Sequence, residues 1–246
     1  IIEKEIREIA KQYNCQLKII GKDLLPKFGE MKPENVLIAL AKLFKRTVPK
    51  EITFNQKYFE KNKVEKRLPG FCSGCPHRAT FWAVQQALGK NKIYAGDIGC
   101  YLLGALPPFE MSDLIVAMGA GVGIAHGISK ATEGKPVIFI GDSTFFHAGL
   151  PALANLVYNQ SNVLLVILDN RITAMTGHQP HPGSGFTGQG KKTKAIKIEE
   201  VAQAMGADQV EIANVYNFQQ TVKKIKKLYQ HKGVSVLIAK GECRLL

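Results

Sequence analysis

The pattern of apolar and polar positions along the chain predicts an α/β fold. Short runs that are apolar throughout are typical of parallel strands buried on both faces. We predict strands at residues 92–95, 113–117, 136–140, 163–168, 209–212 and 234–239. Segments with apolar residues at helical spacing lie between them, at 79–88, 198–205 and 218–229. Because strands and helices alternate in sequence, we expect a mostly parallel sheet flanked by helices.

The N-terminal region has a different pattern. Apolar residues at helical spacing predict helices at 1–13 and 33–44, and residues 16–20 predict a short strand between them. The first residue is not methionine, which suggests a piece of a longer protein. We expect three parts: a short N-terminal α/β extension over 1–50 that is the tail of a preceding domain, a charged linker over 51–67, and the main domain over 68–246.

Composition narrows the class of protein. No apolar run is long enough to span a bilayer and no signal-peptide pattern is present, so we expect a cytoplasmic protein with no membrane partner. The formal net charge of +13 would suit acidic or nucleic-acid partners. The lysines are scattered, however, and lack the interleaved aromatic residues of a single-strand binder. We therefore expect no nucleic-acid partner, and we interpret the charge as a solvated surface or as a docking face for an acidic electron carrier.

Two polar clusters follow neighbouring predicted strands. Gly-Asp-Ser at 141–143 comes after the strand at 136–140, and Asp169-Asn170 comes after the next strand. Open α/β sheets bind ligands at the carboxyl ends of their strands. The carboxylate of Asp142 and the amide of Asn170 are oxygen ligands that leave room around Mg²⁺ for a backbone carbonyl, water and a diphosphate. In the alternative interpretation, Asp142 or Ser143 only caps a helix.

Three further features carry candidate chemistry. The glycine-rich run at 119–123 opens a helix whose free N–H groups would face an anion, or else it allows a helix to pack closely on the sheet. The segment 174–183 is rich in helix and strand breakers, which predicts a loop over the ligand. Its histidines, His178 and His181, would act as acid or base or would be exposed bystanders. The five cysteines favour metal or redox chemistry over disulfides in an intracellular chain.

Gly-Asp-Ser followed at this distance by Asp-Asn resembles the thiamine diphosphate signature. The resemblance implies that Asp142, the Asn170 side chain and the Ile172 carbonyl ligate Mg²⁺, with Gly141 and Ser143 against the diphosphate. Further motifs resemble the diphosphate-binding domain of the alpha subunit of indolepyruvate ferredoxin oxidoreductases: Cys-Ser-Gly-Cys-Pro-His-Arg at 72–78, Gly-Asp-Ile-Gly-Cys-Tyr at 96–101, Gly-Ala-Leu-Pro-Pro at 104–108, and Asp-Asn-Arg-Ile-Thr-Ala-Met-Thr-Gly-His-Gln at 169–179.

This resemblance extends the candidate site. It implies that Gly74, Cys75 and His77 lie near the aminopyrimidine, with His77 a candidate catalytic residue or a helix cap. The other cofactor-binding residues that it implies are Asp97, Gly99, Gly119 and Thr173. Four cysteines are candidate ligands of a [4Fe-4S] cluster, because they lie on segments that could converge at one end of the sheet. They are Cys72, Cys75, Cys100 and Cys243; the alternative is that they are small buried hydrophobic residues.

The resemblance also implies a reaction. We expect oxidative decarboxylation of an aryl 2-oxo acid such as indolepyruvate, with coenzyme A as acyl acceptor and ferredoxin as electron acceptor. The activating glutamate would come from a pyrimidine-binding domain or subunit, so the chain would hold half an active site of an oligomer. The alternatives are a pyruvate or 2-oxoglutarate ferredoxin oxidoreductase, a non-oxidative thiamine-dependent decarboxylase of the phosphonopyruvate or sulfopyruvate type, and a non-catalytic assembly subunit.

Overall fold

The computed structural model describes residues 2–50, 52 and 68–246. The chain divides into two compact units, Ile1–Arg67 and Leu68–Leu246. Apart from residue 52, the predicted linker at 51–67 lies outside the described residues. In the part of the chain that is described, no helix is both long and apolar enough to cross a membrane.

The first unit contains two helices, α1 (Ile2–Gln12) and α2 (Pro33–Leu43). Both were predicted, and proline at the start of α2 suits a helix start because its missing N–H has no partner there anyway. The predicted strand at 16–20 is wrong: within the described residues of this unit, that segment pairs with no other strand. Its residues have strand propensity, but a strand also needs a neighbouring backbone to bond.

The second unit is built on a parallel sheet of five strands. They are β1 (Tyr94–Ala95), β2 (Val137–Gly141), β3 (Val163–Asp169), β4 (Gln209–Asn214) and β5 (Val234–Lys240). Their spatial order is β1-β2-β3-β5-β4, and every pair is parallel. The α/β fold with a parallel sheet is therefore confirmed.

The predicted strand at 113–117 is wrong in extent. Only Leu114 bridges to Ala95, next to the hydrogen bond that the N–H of Tyr94 donates to the Asp113 carboxylate at 2.7 Å. The chain then leaves the sheet edge, and Val116 is 70% exposed. The N–H of Gly119, a few residues later, is bonded to Asp97. This bond directs the segment into a loop instead of along β1.

Helices cover both faces of the sheet. They are α3 (Pro76–Leu88), α4 (Ala120–Ala131), the single turn α5 (Asp142–Thr144), α6 (Leu150–Tyr158), α7 (Ile198–Ala204) and α8 (Phe218–Gln230). A 3₁₀ segment lies at Cys100–Ala105, and a π-helical turn, Phe145–Gly149, joins α5 to α6. Phe139 and Leu164 pack in the core on one face, whereas Ile140 and Leu165 pack on the other. Burial on both faces explains why the central strands β2 and β3 are almost entirely apolar.

Candidate cofactor site

The candidate site lies at the carboxyl ends of β2 and β3. These strands are parallel, with Gly141 opposite Leu168, so the residues that follow them lie side by side at the carboxyl ends of the strands. Asp142 and Asn170 are both buried there, with 3% and 5% of their surfaces exposed. The adjacency predicted from the two apolar runs is therefore present.

Asp142 is held by contacts on both carboxylate oxygens. Oδ1 accepts the N–H of Ser143 at 2.7 Å, and Oδ2 accepts the N–H of Arg171 at 2.8 Å. Nε2 of His181 lies 3.1 Å from the same Oδ2. The helix-capping alternative is wrong, because Gly141 occupies the cap position of α5 and no side chain caps that turn. The Asp142 carboxylate instead ties the end of β2 to the segment after β3.

The side chain of Asn170 has partners on both sides of its amide. Its oxygen accepts the N–H of Ile172 at 3.3 Å, and its nitrogen lies 3.4 Å from Nε2 of His77. The carbonyl oxygen of Asn170 accepts the N–H of Cys243 at 3.2 Å, which brings the segment after β5 beside the site. Asn170 therefore links the ends of β3 and β5 to the start of α3.

One cavity gathers most of the predicted cofactor-binding residues. Asp142, Asn170 and Ile172, the three predicted Mg²⁺ ligands, all line it. Thr173 lines it too and donates its hydroxyl to Ser143 Oγ at 2.8 Å. The other predicted residues along its wall are His77, Gly99, Gly141 and Ser143. Within the described residues, the wall of this cavity does not include Gly74, Cys75, Asp97 or Gly119.

Asp97 has a different environment from the one expected for a cofactor ligand. Its carboxylate accepts the N–H groups of Ile98, Gly119 and Gly121 at 2.7, 2.9 and 3.2 Å. Burial raises the pKa of the Asp97 carboxyl, and these three backbone bonds oppose the rise. The free N–H groups at the glycine-rich start of α4, which were predicted to face an anion, therefore bond the Asp97 side chain. Gly121 serves close packing, since a Cβ there would come within 2.5 Å of the Gly96 carbonyl oxygen.

Tyr101 also lines the cavity of Asp142, and the sequence analysis did not predict this role. Its hydroxyl donates to the Ile98 carbonyl at 2.8 Å and lies 3.2 Å from Thr144 Oγ1. A Cβ on Gly99 or Gly141 would lie 2.4 or 2.6 Å from its ring. Both positions therefore require glycine. The only feature of the sequence that could have indicated this role is the position of the tyrosine directly after Gly99-Cys100.

His77 is buried between aromatic rings at the start of α3. Phe71 and Tyr101 both contact it edge-on, with ring centroids 6.5 and 6.1 Å away. Burial lowers the pKa of His77 to about 4, although the nearby carboxylate of Asp142 opposes that change. The imidazole is therefore neutral at neutral pH. Its ring lines both the cavity of Asp142 and a second cavity that contains the cysteines.

The four predicted cluster ligands line that second cavity, whose volume is about 220 Å³. They are Cys72, Cys75, Cys100 and Cys243. Burial and the other cysteines raise the pKa of Cys100 to about 11, and burial also raises that of Cys75. Among the described residues, no group of three or more His, Cys, Asp or Glu side chains is arranged to hold a single metal ion.

The two loop histidines have different environments. His181 is buried against Asp142, although its flanking prolines were the only local sign that its position is fixed. Nε2 of His178 is also buried and has no hydrogen-bond partner among the described residues. The idea that both are exposed bystanders is therefore wrong. Burial of a loop histidine depends on distant residues, which the local sequence does not specify.

The fold and the site define a cofactor-binding domain of the thiamine pyrophosphate enzymes. Residues 97–239 match the family described as the thiamine pyrophosphate enzyme, C-terminal TPP binding domain, and the chain belongs to this family. It is 44% identical to the indolepyruvate oxidoreductase subunit IorA of Thermococcus kodakarensis and 40% identical to that of Methanothermobacter marburgensis. Both alignments cover 100% of this chain and 40% of the relative, so the chain spans about 40% of the length of these curated relatives.

A solved structure supports the fold. The 2-oxoglutarate:ferredoxin oxidoreductase from Magnetococcus marinus superposes with a TM-score of 0.61, over 72% of this chain and 65% of that one. The sequence identity is 23%. At this identity the likeness concerns the fold alone.

The buried neutral state of His77 predicts how stability depends on pH. Because the pKa is lowered from 6.5 to about 4, the unfolded chain takes up this proton first as the pH falls. The free energy of unfolding should drop between these two pH values by up to about 3 kcal/mol more in the parent than in His77→Gln, which does not titrate. Urea denaturation across this pH range, without added metal, measures the difference. Identical pH profiles for parent and variant would contradict the burial of a neutral His77.

Proposed function

We propose that this chain is the part of an oxidoreductase that binds thiamine diphosphate and Mg²⁺, and that the enzyme oxidatively decarboxylates aryl 2-oxo acids such as indolepyruvate to acyl-CoA. Ferredoxin is the electron acceptor. One observation carries the proposal: Asp142, Asn170 and Ile172 line one cavity at the carboxyl ends of β2 and β3. The identity of 44% to a subunit named for indolepyruvate supports the choice of substrate.

The donor set of this cavity fits Mg²⁺ bound to a diphosphate. Mg²⁺ in proteins commonly takes one or two carboxylates and completes its shell with water and substrate phosphates. Asp142 is the only carboxylate among the described residues that line the cavity. Asn170 adds an amide oxygen and Ile172 a carbonyl. Gly141, Ser143 and Thr173 lie on the same wall, where they would contact the diphosphate.

The cofactor, when bound, supplies the electron sink for decarboxylation, and this chain anchors and orients it. Two methionines at the cavity, Met118 and Met175, are 53% and 47% exposed. Apolar surface of this kind suits a covering domain that excludes water. Glutamate is absent from the cavity wall within the described residues. Both features support a pyrimidine-binding domain or subunit as the partner that supplies the activating glutamate.

We propose a [4Fe-4S] cluster at the four cysteines. All four cysteines line one cavity, and His77 and Asn170 line both this cavity and that of Asp142. Four thiolates are the usual ligand set of such a cluster, which carries single electrons. A nearby one-electron carrier favours an oxidative enzyme over a non-oxidative decarboxylase, which has no need of one. Coenzyme A as acyl acceptor, an oligomeric assembly and a cytoplasmic location stay predictions.

The metal site predicts a specific loss of cofactor binding. Asp142→Ala removes the charged ligand and should weaken Mg²⁺-dependent binding of thiamine diphosphate by about 3 kcal/mol, or about 100-fold in Kd. Asn170→Ala removes a neutral ligand and should weaken it less. Asp208→Ala is the control, because Asp208 also accepts a backbone N–H, that of Val234 at 2.7 Å, but at the amino end of β5, away from the site. Calorimetry on the complete protein measures the affinities, and an unchanged Kd for Asp142→Ala would overturn the proposal.

The cluster predicts an iron content. After anaerobic purification, Cys100→Ser should lose about four irons per protein, together with one signal in the electron paramagnetic resonance spectrum of the reduced protein. Cys15→Ser is the matched control, because Cys15 is an exposed cysteine of the first unit. Equal iron contents in the two variants, with electron transfer to ferredoxin retained, would rule the cluster out.

A further inference from the structure

Two buried histidines from different parts of the chain each contact one side chain of the proposed metal site. His77 lies in the first turn of α3, and His181 lies in the loop between β3 and α7. Only 4% of the surface of each histidine is exposed. His77 contacts Asn170, and His181 contacts Asp142.

The ring of His181 is fixed with one nitrogen toward the carboxylate. Its Nδ1 accepts the N–H of Gly183 at 3.1 Å, so the proton of the neutral ring is on Nε2. This Nε2 is 3.1 Å from Asp142 Oδ2, and among the described residues it has no partner in hydrogen-bond geometry. The ring stacks on Phe146 at a centroid distance of 5.9 Å, and a Cβ on Gly183 would come within 2.8 Å of that phenylalanine. The loop therefore holds the imidazole with Nε2 beside the Asp142 carboxylate.

Ile172 and His77 contact opposite atoms of the Asn170 amide. The N–H of Ile172 can only donate, so it requires the amide oxygen on its side, at 3.3 Å. The amide nitrogen then faces Nε2 of His77, which accepts from it at 3.4 Å. A flipped amide would place two donors together at Ile172, and Nε2 of His77 would have to carry the ring proton to donate to the amide oxygen. The amide oxygen of Asn170 therefore stays on the side of Ile172. This oxygen is the atom of the amide that can ligate Mg²⁺.

We infer that His181 and His77 are positioning residues for the Mg²⁺ site: His181 orients the Asp142 carboxylate, and His77 orients the Asn170 amide. The inference rests on the proposed function. It gives His77 a role other than acid or base, since its Nε2 is engaged by Asn170. It also links the loop that carries His181 to the metal, so that the order of this loop and metal affinity depend on each other. Groups that hold metal ligands in this way typically change metal affinity by about 10- to 100-fold when they are removed.

Paired amide substitutions separate positioning from packing. Glutamine places its amide near the position of Nε2, whereas asparagine reaches only to that of Nδ1. In the complete protein at saturating thiamine diphosphate, His181→Asn and His77→Asn should each raise the Kd for Mg²⁺ by about 10- to 100-fold. His181→Gln and His77→Gln should stay within about threefold of the parent. His126→Gln is the control, because His126 contacts Ser161. This residue lies just before the amino end of β3, whereas the candidate site lies at the carboxyl ends of the strands.

The melting temperature without added metal is measured for every variant. A packing role alone predicts that the asparagine and glutamine variants lose stability while both retain the parental Kd for Mg²⁺, and this result would overturn the inference. If an asparagine variant does not fold, the phenylalanine variant at that position takes its place, because it keeps the ring and lacks both nitrogens. Asp142→Ala distinguishes the two proposals. If it leaves Mg²⁺ affinity unchanged, the proposed function fails; if it weakens the affinity while the histidine variants do not, only the inference fails.

Discussion

The hydrogen bond from the N–H of Arg171 to the Asp142 carboxylate is the interaction on which the candidate site depends. It joins the residues that follow two paired parallel strands, at 2.8 Å. A buried carboxylate is strongly destabilising unless it has donors or cations around it. Here two backbone N–H groups and His181 surround it. To donate this bond, Arg171 adopts a left-handed backbone conformation with φ of 69°, which is uncommon outside glycine.

A second constraint is the close approach of backbone and side chains beneath the site. The ring of Tyr101 lies where a Cβ on Gly99 or Gly141 would be, and the Asp97 carboxylate occupies the N-terminus of α4. These contacts fix the floor of the cavity and leave its open side to the exposed Met118 and Met175. The cavity is therefore closely packed below and has exposed apolar side chains at its rim.

The parallel sheet and the Asp142–Asn170 pair could be predicted from sequence because both follow from local pattern. Strands buried on both faces are apolar throughout, and polar residues at their carboxyl ends meet when the strands are neighbours. The segment at 16–20 also has strand propensity, but strand formation depends on a pairing partner that a sequence does not show. At 113–117 the bond between Gly119 and Asp97 prevails over strand propensity. The role of Asp97 and the burial of His181 depend on contacts between distant residues, which no spacing rule describes.

The central claim is that Asp142, Asn170 and Ile172 hold the divalent cation that binds the diphosphate. The most direct test is a crystal structure of the complete protein with thiamine diphosphate and Mn²⁺ in place of Mg²⁺, with anomalous scattering used to locate the metal. The account predicts one anomalous peak about 2.1–2.2 Å from an oxygen of each of these three residues, slightly beyond the distance typical of Mg²⁺. A bound diphosphate whose Mn²⁺ lies away from Asp142 would contradict it.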